Sequence, residues 1–245
     1  MDLLTVISPV FGARTSVLVA DDGACVVVDA GALVADAVVG LVQERGLRPA
    51  AVLLTHGHAD HTWGAGELAE RLRVPVHVHA RDAYRLADPF GTLGPLGGAA
   101  HDPSGPLAQS LVGVGADPAS YVAPADVRRF GTSGSDEGAA ERDEDVPLEL
   151  GGIRVVARHA PGHTEGSTLY LVGDVVLTGD VLFAGTIGRT DLPGGDSQVM
   201  ARTLREVVAR LDPSTQVVPG HGPTSVVRHE LTTNPFLVGL SGADR

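Results

Sequence analysis

Leu53-Leu54-Thr55-His56-Gly57-His58-Ala59-Asp60-His61 decides the fold, because an apolar run of strand length passes directly into four side chains of metal-coordinating type. Imidazole nitrogen and carboxylate oxygen are ligands that Zn²⁺, Fe²⁺ and Mn²⁺ accept, and a turn after a strand can aim alternate side chains at different points. His56 and His58 are expected to converge on one ion, while Asp60 and His61 reach a second.

Upstream of that turn, residues 3–7, 15–20 and the valine-rich run Cys25 to Asp29 read as opening strands, with Asp21-Asp22-Gly23 as a hairpin turn. From Ala32 to Arg45 the apolar positions Leu33, Val34, Ala37, Val38, Leu41 and Val42 recur at helical spacing, and Gly46 stops the pattern. A strand, a helix and the strand Ala50 to Thr55 imply a parallel pair with its crossover helix. The histidine turn then lies at a strand's C-terminal end, where α/β sheets place chemistry. Asp29, followed by Ala30-Gly31, is expected to orient a metal-binding histidine by hydrogen bonding, with a plain turn or cap role as the alternative.

Downstream, Thr62 to Leu72 reads as a helix and Val74 to Ala80 as a strand. His77 and His79 share one face of that strand and are assigned to a polar exposed or edge face. His101, His159 and His229 are assigned to structure or surface. Residues 88–147 change character: Pro and Gly punctuate the first part, and the Gly131-Thr132-Ser133-Gly134 stretch leads into an acidic tract ending Asp143-Glu144-Asp145. The chain is therefore expected to be a single domain over 1–245 carrying an irregular insertion at about 88–147, either a lid or a surface excursion.

Composition narrows the partners. With 245 residues the chain can bury a sizeable core, and 43% hydrophobic with 20% charged residues is ordinary for a globular protein. The formal charge of −12, from 30 acidic against 18 basic residues, excludes a broad electrostatic footprint for nucleic acid. There is no lysine, so none can serve a substrate. The one cysteine, Cys25, lies in an apolar run and reads as a small buried hydrophobe, which rules out an intrachain disulfide and a thiolate zinc cluster. Neither a signal sequence nor a membrane-spanning run is evident, and a cytoplasmic protein without membrane contact is expected. The oligomeric state is left open.

The later chain repeats one local grammar, an apolar strand ending in a Gly-bounded turn with one coordinating residue. It occurs at Pro161-Gly162-His163-Thr164, at Gly179-Asp180 and at Pro219-Gly220-His221-Gly222. Between the last two, residues 197–211 read as a helix behind Asp196. Seven candidate ligands thus stand at the ends of separate strands.

In Asp29, His56-x-His58-x-Asp60-His61, His163, Asp180 and His221, in that order, the sequence resembles the metallo-β-lactamase superfamily over nearly its whole length. The resemblance implies an α/β (α+β) fold, an αββα sandwich of two mixed β-sheets flanked by helices. It implies a binuclear site for two divalent ions, zinc first and iron or manganese otherwise, in which His56, His58 and His163 hold one metal, Asp60, His61 and His221 the other, and Asp180 bridges them. The segments Thr178-Gly179-Asp180-Val181-Leu182-Phe183 and Ile187-Gly188-Arg189-Thr190-Asp191-Leu192-Pro193-Gly194-Gly195, with the tail Asn234-Pro235-Phe236-Leu237, are similar to the glyoxalase II group. That likeness assigns Arg189 to binding the carboxylate of a thiol carrier, with a surface or structural ion pair to Asp191 as the alternative.

The expected activity is hydrolysis of acyl thioesters, S-lactoyl and related 2-hydroxyacyl conjugates first, to a hydroxy acid and a free thiol. The nucleophile is a hydroxide formed between the two ions and oriented by Asp60. Glutathione-binding members of the group carry a long helical C-terminal region, whereas this chain ends soon after His221 and has three tyrosines, so a different small thiol is expected as carrier. Two other readings remain. One is a mononuclear iron persulfide dioxygenase, against which Thr186-Ile187-Gly188 stands where that group typically has a cysteine before the glycine. The other is a non-catalytic scaffold or another metallo-hydrolase of the same fold.

Overall fold

Strand alternation builds the protein from the inside outward. In β3 (Ala24–Val28) every residue is buried, so both faces of the strand are covered. Ala24, Val26 and Val28 pack toward a second sheet with Leu53, Val155 and Tyr170. Cys25 and Val27 point the other way, against Val38 and Val42 of the helix α1 (Ala35–Glu44). A computed structural model describes residues 1–97, 104–132 and 144–239.

The first sheet has the order β1-β2-β3-β4-β5-β6, where β1 is Asp2–Ile7, β2 Arg14–Val19, β4 Arg48–Leu53, β5 Val76–His79 and β6 Val127–Phe130. Its first three strands are antiparallel neighbours, and β3 to β6 run parallel. The second sheet has the order β14-β13-β10-β9-β8-β7. Its strands are β7 (Val146–Leu150), β8 (Ile153–His159), β9 (Thr168–Val172), β10 (Val175–Gly179), β13 (Gln216–Pro219) and β14 (Ser225–Val226). The pair β10–β13 is parallel, and the other four pairings of this sheet are antiparallel.

On the outer face of the second sheet Leu169, Val176 and Val217 meet Met200 and Leu204 of α5 (Ser197–Glu206) and Val227 and Leu231 of α6 (Val227–Thr233). Four layers result, helix, sheet, sheet, helix, in which each sheet buries both faces. This is the αββα sandwich of two mixed sheets.

Several boundaries differ from the sequence reading. The crossover helix starts at Ala35 rather than Ala32, because Leu33 adopts a left-handed backbone (φ 61°) that a helix cannot contain. The helix expected over Thr62 to Leu72 is broken into α2 (Ala59–Thr62) and α3 (Ala65–Leu72) at Gly64, whose N–H donates to Ala30 O at 2.8 Å. His77 and His79 are not on an exposed or edge face. β6 pairs outside β5, making it an internal strand, and both histidines are buried in the sandwich. His79 stacks on His159 with ring centroids 4.2 Å apart.

The tract 88–147 also carries more regular structure than expected. It contains α4 (Pro106–Gly113) as well as β6, and α4 packs Leu107, Ala108 and Leu111 on Trp63 and Phe90 in a small fourth core. Its acidic part and His101 lie largely or wholly outside the described residues. Among the described residues, no helix is long and apolar enough to cross a membrane.

Candidate metal centre

All the predicted ligands leave strand ends on one rim of the sandwich. β4 delivers His56, His58, Asp60 and His61, β8 leads to His163, β10 ends immediately before Asp180, and β13 ends one residue, Gly220, before His221. Their ligand atoms form three overlapping groups, His56/His58/His163, His56/His61/Asp180 and Asp60/His61/His221, each with its atoms within 4.8 Å of one another. His58 Nδ1 lies 2.9 Å and His56 Nε2 3.2 Å from His163 Nε2. His61 Nε2 lies 3.1 Å from His221 Nε2 and 3.2 Å from Asp180 Oδ1, and His221 Nε2 lies 3.2 Å from Asp60 Oδ2. Ligand atoms that share a tetrahedral zinc at its usual bond lengths sit roughly 3.3 Å apart, so this spacing is that of a coordination shell.

The remote ring nitrogens fix which atoms face inward. The Arg189 carbonyl accepts from His163 Nδ1 at 2.7 Å, and the Asp29 carboxylate accepts from His61 Nδ1 at 2.8 Å, which turns both Nε2 lone pairs into the site. Thr55 donates its hydroxyl to Asp29 at 2.8 Å and stands 3.1 Å from His56 Nδ1, so Asp29 orients a second histidine through a threonine. Asp29 holds a left-handed backbone (φ 59°), which Asp tolerates better than larger side chains.

With these lone pairs so aimed, His56 Nε2 faces His163 Nε2 and His61 Nε2 faces the Asp180 carboxylate, repulsions that a cation between them relieves. Asp180 Oδ1 is buried without a hydrogen-bond partner. Gly220 supplies the space: a Cβ there would overlap Asp180 Oδ1 and come within 2.6 Å of His61 Cε1. The donor set and its geometry fit divalent metal ions.

The charges follow the same division. Burial, then the neighbouring imidazoles, hold His56 well below the ordinary histidine value, and burial with His163 lowers His58 to about 3, so both are neutral and ready to coordinate. Burial would lower His61, but Asp180, Asp60 and Asp29 more than reverse it and raise its pKa well above normal. A proton on His61 thus takes the place of a cation when no metal is present.

Residues that sequence reasoning did not single out brace the ligand turns. Asp82 is fully buried and accepts from Gly57 N at 2.7 Å, Gly166 N at 2.9 Å and Thr164 Oγ1 at 2.7 Å, locking the turn of His56 and His58 to that of His163. Arg85, equally buried, bonds Glu165 at 2.5 Å, Pro193 O at 2.8 Å and Thr92 O at 3.1 Å. Arg14 binds Pro219 O at 3.0 Å and Gly222 O at 2.5 Å, holding the loop of His221. None of these lies in a recognisable motif. Asn234, from the tail singled out above, donates to Thr186 O at 3.1 Å and so ties down the hairpin of β11 (Leu182–Phe183) and β12 (Thr186–Ile187).

Arg189 is placed at the site, but its guanidinium makes two bonds to Asp191, at 2.6 and 2.7 Å, and draws the Asp191 carboxyl down to about 2. The site opens into a cavity of ≈ 460 Å³ lined by His58, Asp60, His163, Asp180, His221 and Arg189 together with a mostly apolar wall.

Comparison with known proteins agrees with this arrangement. The chain is 38% identical over 223 residues to the uncharacterized protein Rv2581c of Mycobacterium tuberculosis (88% of each chain) and 36% over 202 residues to the probable metallo-hydrolase YqgX of Bacillus subtilis (82% of this chain, 81% of the relative). It is 28% identical over 233 residues to the hydroxyacylglutathione hydrolase GloC of Haemophilus influenzae (93% of each). Among solved structures it is similar to the B3 metallo-β-lactamase BLEG-1, with a TM-score of 0.74, 27% identity and coverage of 97% of this chain and 100% of the other. It is also similar to TTHA1623 in a di-iron-bound form, with a TM-score of 0.69, 30% identity and the same coverage. The family model of the metallo-β-lactamase superfamily, a fold that binds divalent metals, matches residues 9–221, and the chain belongs to that superfamily.

Proposed function

We propose that the protein is a binuclear metallohydrolase that cleaves acyl thioesters, S-2-hydroxyacyl conjugates first among them, to a carboxylic acid and a free thiol. The observation that carries the reading is the paired ligand set: His56, His58 and His163 would hold one ion, Asp60, His61 and His221 the other, with Asp180 between them, at the floor of an open cavity. Zinc, iron and manganese all suit these donors. When bound, two such ions supply Lewis-acid polarisation of a carbonyl and a nucleophilic water at neutral pH.

The chain's own groups do the rest. Asp60, which lines the cavity with His221, would accept a hydrogen bond from the attacking water and so fix its lone pair toward the carbonyl carbon. Burial raises the Asp60 carboxyl, but His61, His221 and His58 more than offset this and keep it ionised for that task. The apolar wall excludes bulk water, which strengthens the electrostatics inside. A thiol leaving group is acidic enough to depart as thiolate, so no general acid is required of the lining. The 28% identity to GloC supports a thioester over an amide or phosphodiester, and the free, buried Cys25 suits a reducing cytoplasm. The acidic balance speaks against nucleic acid as substrate.

The test is thiol release, followed with a chromogenic disulfide, from a panel of acyl thioesters under argon by protein loaded with zinc, iron or manganese. Release without oxygen supports hydrolysis. Oxygen uptake on a persulfide with no thioester cleavage would replace this reading by the dioxygenase, and cleavage of a β-lactam alone would replace it by lactam hydrolysis.

A further inference from the structure

The cavity wall opposite the metal ligands is built from Phe11, Leu93, Leu96, Leu107, Phe183 and Leu192. Among the described lining residues Arg189 is the one basic side chain outside the histidine ligands, and Asp191 already occupies its guanidinium with two short bonds. Asp191 takes the Nε and Nη2 donors, so a substrate carboxylate would have to share this one solvent-exposed cation with a fixed anion, a contact worth little. Among the described residues, a carrier with several carboxylates finds no further complementary charge along this wall.

Phe11 adds an independent observation. Phe11 and Gly12 both have left-handed backbones (φ 56° and 70°) in the turn between β1 and β2, where Ser8 N donates to Ala13 O at 2.9 Å. Such turns favour Asn or Gly at the first position, and a bulky side chain there is under strain. The phenyl group does not repay that strain by packing in the core, since Phe11 is 53% exposed. Leu96, also on the wall, is 36% exposed. A strained, exposed Phe11 and an exposed Leu96 on the wall of one cavity present apolar area that a ligand in the cavity would cover.

We propose that the site takes thioesters whose non-reacting portions are apolar and free of carboxylate, held by Phe11, Leu96 and the leucines behind them, in place of a polycarboxylate carrier such as glutathione. The proposal rests on the thioester reading for the reaction, but the binding claim can be tested without it.

The experiment uses the metal-loaded protein and two thioesters of one small acyl group, one on glutathione and one on phenylmethanethiol. A thioether analogue of the second, which lacks the carbonyl and cannot be cleaved, is titrated calorimetrically. We expect kcat/KM at least about tenfold higher for the phenylmethanethiol ester, a difference that resides in KM, and binding of the thioether with a negative heat-capacity change. Phe11→Ser and Leu96→Ser each shrink the preference toward unity and weaken thioether binding at least about fivefold. Val112→Ser, at an equally exposed position on α4 outside the cavity lining, leaves both unchanged. Equal or better cleavage of the glutathione ester, or thioether binding indifferent to Phe11→Ser and Leu96→Ser, overturns the proposal while thioester hydrolysis stands. If neither ester is cleaved yet the thioether binds in a Phe11-dependent way, the thioester reading fails and the apolar-ligand assignment survives.

Discussion

Asp29 Oδ2 lies 2.8 Å from His61 Nδ1, and the same oxygen accepts the Thr55 hydroxyl, so one buried carboxylate orients a histidine on each side of the site. Asp29→Asn keeps the size of the side chain and its tolerance of φ 59°, but it can present an amide N–H toward His61. We expect a folded protein whose affinity for the second metal ion falls about 10–100-fold. Competition against a chromophoric chelator measures it.

Gly220 leaves no room for a side chain beside Asp180 and His61. Gly220→Ala is therefore expected to push the bridging carboxylate away and cost at least about tenfold in metal affinity. Its unfolding temperature without metal should also fall, since the added Cβ crowds buried Asp180 and His61 in the metal-free protein as well. The same chelator competition, paired with thermal melting of the metal-free protein, separates the two effects.

Asp82 is a brace whose loss reaches the whole centre. Asp82→Ala strands the buried N–H groups of Gly57 and Gly166 and leaves Arg85 with Glu165 as its remaining acidic partner. The expected cost is about 3–5 kcal/mol, or a Tm lower by roughly 10 °C, read by calorimetry on the metal-free protein.

Cys25 gives a pH signature. Burial pushes its thiol from an ordinary 9.0 up to about 11, against a small opposing effect of Arg48. The folded state favours the neutral thiol, so this contribution to stability is complete below pH 9 and is lost as pH rises toward 11. Native protein should resist a thiol-reactive dye at pH 8, while denaturant-unfolded protein labels with one dye per chain. Rapid labelling of the native state would contradict the buried placement.

The ligand set was legible because its information is local: four ligands fall within six residues, and His163, Asp180 and His221 each follow a strand beside glycine. The braces were not legible, because Asp82 meets partners 25 and 84 residues away and Arg85 reaches across 108 residues to Pro193. No spacing marks such pairs. His77 and His79 were misassigned for a related reason. Their alternation suggests a polar face, but β6, formed by Val127–Phe130 inside a tract dominated by Gly and Pro, covers the edge of β5, and His79 on that face stacks on His159 of the second sheet. Arg189 was assigned to a carrier's carboxylate with an ion pair to Asp191 as the alternative, and the structure forms that pair.

The central claim is that the ligand cluster forms two coupled metal positions. Titration of metal-free protein with Zn²⁺, followed by calorimetry and metal analysis after desalting, tests it most directly. We predict saturation at two ions per chain for the native protein and at one for His58→Ala. Saturation of the native protein at a single ion would contradict the binuclear account.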